Sequence, residues 1–134
     1  MKTNKDYQNE LRALSQAMTR IHKMLLDSEI SDLELKAGAE FSAPTKLQML
    51  INAPELAWLR TLSGLMAWTD EVFFQKEPIR PEQMKEAFQK TEQLFVNPTP
   101  SEFSSNYRRL MTSLPDLMVE HNLLRTTLKK LEKQ

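Results

Sequence analysis

NAPELAWLRTLSGLMAWTDEVFF, residues 52–74, concentrates the apolar weight of a 134-residue chain and decides its fold class. Pro54 suits the first turn of a helix, where its missing N–H would have no partner, and Glu55 puts a negative charge near the positive end of the helix dipole. From there Leu56, Leu59, Leu62, Leu65, Met66, Val72 and Phe73, with Trp58 and Trp68, cover more than the apolar stripe of about 100° that a surface helix shows. The pattern predicts one central helix over Asn52–Phe74, covered on two sides. At about 1.5 Å per residue it would run roughly 33 Å, enough to cross a small domain. Ser63 and Gly64 weaken a helix interior relative to alanine, which predicts that another helix backbone passes close there.

Upstream of this stretch, Tyr7, Leu11, Leu14, Met18, Ile21 and Leu25 recur at four- and three-residue steps, one seam of a helix from about Asn4 to Glu29. Fewer than four heptads long, the seam suits a bundle helix better than an extended coiled coil. Ile30 to Ala43 breaks the period, with Gly38 in the middle and Pro44 ahead, and reads as a connection with at most one helical turn. Thr45–Ile51 then predicts a short helix, with Asn52 as the cap of the next.

Downstream, QKEPIRP ends the central helix with two prolines, and Pro81 opens an amphipathic one. Its apolar face carries Met84, Ala87, Phe88, Thr91, Leu94 and Phe95; Glu82, Lys85, Glu86, Gln89 and Lys90 face the other way. After Asn97–Pro100, Thr99 and Glu102 have the spacing of a capping box, and Ser113 with Asp116 repeats it around Pro115. A second seam, Leu117, His121, Leu124, Leu128 and Leu131, closes the chain and leads into a basic tail. No strand is needed anywhere. The fold expected is a single all-α domain over residues 1–134, a helical bundle of four main helices plus a short one.

Composition excludes several classes of function. Eighteen basic residues balance eighteen acidic ones, eight of each up to Ala67 and ten of each after it, so neither half has the basic excess of a dedicated nucleic-acid binder. The absence of cysteine removes disulfides, thiolate metal sites and thiol nucleophiles. Two widely separated glycines remove phosphate-cradling loops and dinucleotide fingerprints, which need glycine where backbone approaches phosphate. A di-iron bundle needs glutamate three residues before histidine, and those positions before His22 and His121 hold Thr19 and Met118. No cofactor or metal is expected. The polar start, MKTNKDYQNELR, reads as mature sequence rather than a secretion signal. The longest uncharged helical run, Thr61–Thr69, is far short of the about twenty residues of a membrane span. A cytoplasmic protein is the simplest expectation.

Four residues stand out as candidates for chemistry, each with a plainer reading beside it. His121 sits in a leucine seam, where desolvation would lower the pKa of an imidazole serving as acid or base; the plainer reading is a hydrogen-bonded seam-edge histidine. Asp70, near Trp68, Phe73 and Phe74, would hold a cationic ligand in an aromatic cleft, or else pair structurally with Arg60, Arg108 or Arg109. Its neighbour Glu71 points about 100° away, so the two are no catalytic dyad. Trp58 and Trp68 would line such a pocket or simply fill the core. Eight methionines suggest an adaptable binding surface, though methionine at helical spacing is ordinary core filler. The tail from Arg125 to Lys133 invites a membrane-surface or acidic-partner reading, against that of a solvated helix end.

Ala53–Glu71, APELAWLRTLSGLMAWTDE, resembles a segment found in small helical bacterial proteins of unassigned function. The resemblance covers about a seventh of the chain, implies a bacterial source and an all-helical fold, and carries over no site residue. With two seams and no assembled catalytic set, the expected function is a non-catalytic binding or scaffold protein. It would act through helix-face contacts, as a homodimer or with another helical protein. The alternative is a small-molecule binder or enzyme with a pocket near Trp58, Trp68 and Asp70, where His121 serves as acid or base.

Overall fold

The 4-3 seam of the first helix governs the architecture. A computed structural model describes residues 1–132, and in it α1 runs Asn4–Ala37, 34 residues. At about 1.5 Å per residue that is a rod of roughly 51 Å, the longest element in the molecule. Leu11, Leu14, Met18, Ile21 and Leu25 are fully buried along its length. Each such burial stabilises the fold by about 1.5–3 kcal/mol relative to an exposed side chain. Thr3 starts the helix with a capping box: its hydroxyl accepts from Asp6 N–H while the Asp6 carboxylate accepts from Thr3 N–H.

The connection expected over Ile30–Ala43 is shorter than that and occupies residues 38–42. α1 continues past Glu29 because Ile30 is still buried, and it stops only at Gly38, φ 70°, whose N–H bonds back to the Glu34 and Leu35 carbonyls while Ala39 N–H reaches Glu34. This is a Schellman ending, and glycine takes its left-handed backbone without strain.

Four more breaks follow. α2, Ala43–Asn52, is capped by Ser42; Pro54–Leu59 is a 3₁₀ segment; α3 runs Arg60–Phe74, α4 Pro81–Phe95, α5 Glu102–Ser113 and α6 Pro115–Glu132. The single helix expected over Asn52–Phe74 is therefore divided. The residue before a proline is pushed out of the helical region, and Ala53 sits at ψ 127°, so Asn52 ends α2 rather than capping the next helix. Pro54 then starts a tight 3₁₀ segment that buries Leu56, Trp58 and Leu59 before α3 takes over.

Two expected capping boxes also differ. α5 begins two residues later than Thr99 and Glu102 suggest, because Ser101 caps it and pairs reciprocally with Ser104. Ser113 donates to the Leu110 carbonyl instead of capping α6, and Pro115 itself separates α5 from α6. The outcome is six α-helices and a 3₁₀ segment among the described residues, where four main helices and a short one were expected.

α1 packs most extensively on α6 and α3. Both seams read from the sequence are spent inside the molecule, with Leu117 and Leu124 fully buried and Leu128 nearly so. One hydrophobic cluster draws buried residues from every helix except α2, whose contacts are chiefly with the 3₁₀ segment. Polar links pin the periphery: Arg20 pairs with Glu120 between α1 and α6, and Asn4 accepts from Ile79 N–H to hold the α3–α4 loop. No helix among the described residues is long and apolar enough to cross a membrane.

Candidate functional site

The four candidate residues fall in three separate places. Trp58, on the 3₁₀ segment, is buried; its indole N–H donates to Glu29 Oε2 at 3.2 Å and its ring lies 5.6 Å from Phe103. Phe103 stacks on Tyr107 at 5.4 Å, and Tyr107 lies 5.6 Å from the His121 ring. Phe95 meets both Phe103 and Tyr107 edge-on. Trp58 and His121 are thus the two ends of one aromatic row running through the core. Each ring pair adds about 0.5–1.5 kcal/mol beyond its area burial.

His121, half-buried on α6, shares a 2.9 Å hydrogen bond between Nδ1 and the Tyr107 hydroxyl. Desolvation, and then the Arg125 guanidinium one turn away, hold the imidazole pKa below its ordinary value. Burial raises that of the Tyr107 phenol. Both groups are neutral near pH 7, and the pair is a part-buried polar contact satisfied by its own partner. His22 behaves alike. His22 Nε2 shares a 3.0 Å hydrogen bond with Ser63 Oγ, which also lies 3.2 Å from the Leu59 carbonyl oxygen, and burial lowers the imidazole pKa.

Asp70 is exposed and accepts from Ser15 on α1 at 3.2 Å. The expected arginine partnership does not form. Arg60 donates to the Ile51 carbonyl, and Arg109 to Glu29 and Asn106. Asp70 turns to α1 and His121 to α5, so the two share no partner and no acid–base pair assembles from them.

Trp68, alone of the four candidate residues, lines a cleft among the described residues. A cleft of about 410 Å³ opens between α3, α4 and the loop before α5. The Lys90 ammonium stands 4.2 Å from the Trp68 ring centroid, a cation–π contact, and Lys90 also pairs with Glu86 at 3.2 Å. Thr61, Gln93, Thr99 and Ser101 supply polar groups around it. Gly64 lines its wall, and a Cβ placed there meets nothing within 4 Å. The close helix approach expected at Gly64 is absent; the glycine borders open space.

Sequence reasoning missed Lys90 and Glu29. Lys90 reads as part of the polar face of α4, yet it precedes Thr91 and Leu94 at the edge of the apolar face, within reach of a ring on α3. Glu29 reads as the end of a helix. It is in fact a junction whose carboxylate accepts from both Trp58 and Arg109, joining α1, the 3₁₀ segment and α5.

Among the described residues, no three histidine, aspartate or glutamate side chains gather where a metal could sit. No protein-family model, no curated protein and no solved structure matches this chain.

Proposed function

We propose that this chain is a non-catalytic helical binding protein of the cytoplasm that works by helix-face contact, and that the face is α2 docking on the same helix of a second copy. One observation carries the reading: α2 has no buried residue although five of its ten residues are alanine, leucine, isoleucine or methionine. Leu47 and Ile51, one turn apart on the same side, are 59% and 60% exposed. Apolar side chains left contiguous in water mark interaction surfaces more often than scattered ones do.

A second copy suits this face on charge. From Leu47 to Pro54 the chain carries no charged residue, so two such faces meet without burying an unpaired ion, and a formal net charge of zero leaves no overall repulsion between copies. The two heptad seams are occupied within the bundle and play no part in this contact.

Light scattering and sedimentation across micromolar concentrations test it. Wild-type protein is expected to shift from monomer to dimer with concentration. The double variant Leu47→Glu, Ile51→Glu is expected to stay monomeric with an unchanged melting temperature, since neither residue is in the core. A wild-type monomer throughout the range ends the proposal.

A second reading rests on the Trp68 cleft. A half-buried indole under an ammonium, rimmed by hydroxyls, suits a planar ligand carrying a negative charge. Quenching of tryptophan fluorescence by such a ligand, abolished in Trp68→Leu and retained in Trp58→Phe, would favour it over self-association.

A further inference from the structure

Glu10 differs from every other carboxylate among the described residues. It is 6% exposed, on the inner side of α1 near the start of the helix. Oε1 accepts from Lys2 Nζ at 2.6 Å, while Oε2 is buried with no hydrogen-bond partner among the described residues. The Lys2 ammonium balances the charge of the carboxylate at Oε1, but a buried carboxylate oxygen without a donor of its own still carries a desolvation cost.

Two clefts, of about 520 and 590 Å³, meet at this residue and share Lys2, Glu10 and Leu131 as walls. The larger lies between the start of α1 and α4. Tyr7, Met84 and Phe88 give it an apolar floor, and Glu92 adds a second carboxylate.

We propose that this cleft binds a primary-amine ligand with an aromatic or alkyl body, its ammonium donating to Glu10 Oε2. The chemistry follows from the walls. An ammonium supplies both the missing donor and the opposite charge, and Lys2 on Oε1 demonstrates that the carboxylate accepts this group. An anion would bring no donor for Oε2, and a neutral alcohol would bring a donor without charge; the walls themselves balance Glu10 and Glu92 with Lys2 and Lys85. Tyr7 and Phe88 offer ring surface to the body of the ligand and to its cationic end. The site is remote in sequence from α2, so its outcome is independent of the self-association test.

Phenethylamine is a suitable probe, with 2-phenylethanol as the uncharged control, titrated into the full-length chain and followed by amide chemical shifts. Saturable shifts around Tyr7, Glu10 and Phe88 are expected with the amine, at a Kd on the order of 1 mM for so small a ligand. The alcohol is expected to bind about tenfold more weakly or worse. Glu10→Gln keeps the side-chain size and is expected to bring the amine down to the level of the alcohol. Lys2→Met removes the internal competitor and is expected to preserve or strengthen amine binding. Phe88→Ala, if Glu10→Gln does not fold, is expected to weaken amine and alcohol together. Equal binding of amine and alcohol, undiminished amine binding by Glu10→Gln, or no shift at the cleft would overturn the proposal.

Discussion

α1 and α2 are both helices with capped starts, and they lie at opposite extremes of burial. α1 is rich in charged and polar residues yet buries eight side chains, because its apolar positions from Tyr7 to Leu25 keep one phase for about five turns and meet α3 and α6 along that line. α2 is the more apolar of the two and buries none. What separates them is the availability of a partner. Ala53 and Pro54 turn the chain out of α2 just as its apolar face is established, and the 3₁₀ segment that follows enters the core in its place.

The contrast can be broken most directly by truncation. Met18→Ala, in the α1 seam, is expected to lower stability by about 2–5 kcal/mol through lost burial and an unfilled cavity. Leu47→Ala, on α2, is expected to stay within about 0.5 kcal/mol, as exposed substitutions do. Chemical denaturation of the two variants measures both, and comparable losses would mean that α2 is part of the core after all.

How much of this was legible in the sequence depends on the same contrast. The seam of α1 was readable because periodicity reports a continuous buried face, and the seam residues from Leu11 to Leu25 are all fully buried. The end of α1 was misread because one buried residue, Ile30, and a Schellman glycine give too short a signal to stand out as a period. Residues 52–74 were read as a single rod because apolar density stays high across Leu59 and Arg60, and density does not reveal where a 3₁₀ segment gives way to an α-helix. Trp58 and His121 stand out in the sequence one at a time. Their connection through Phe103 and Tyr107 depends on how α5 and α6 pack, which no local spacing encodes. Glu10 was invisible for the same reason, since its burial comes from elements distant in sequence.

The two glycines sharpen the boundary between α1 and the rest with opposite signs. Gly38→Ala forces a Cβ into left-handed backbone at the end of α1 and is expected to cost about 1–2 kcal/mol. Gly64→Ala, where a Cβ has free space, is expected to gain about 0.5–1 kcal/mol by raising helix propensity. Thermal melts of the two variants should move in opposite directions; a destabilised Gly64→Ala would restore the close helix approach that the structure lacks.

The smallest expected effect is that of pH, and it belongs to the core. His22 and His121 have pKa values held by burial below the ordinary 6.5. Each therefore stays neutral in the folded chain while the unfolded chain takes up its proton. Their contribution is complete above about pH 6.5 and declines as pH falls from there towards the lowered folded values. Both imidazoles are half-exposed, so screening by water keeps the change below about 1 kcal/mol in total. Melting temperature should fall slightly between pH 7 and pH 5.5, and substituting glutamine for both histidines should flatten that limb. A wild-type melting temperature that rises as the pH is lowered would contradict the assignment.

Hydrogen exchange at two protein concentrations tests the role given to α2 most directly. Amides of α1 should be protected equally at low and high concentration. Amides of α2 should exchange quickly when dilute, gain protection as concentration rises through the micromolar range, and lose that gain in the Leu47→Glu, Ile51→Glu variant. Exchange in α2 that is independent of concentration would contradict the account.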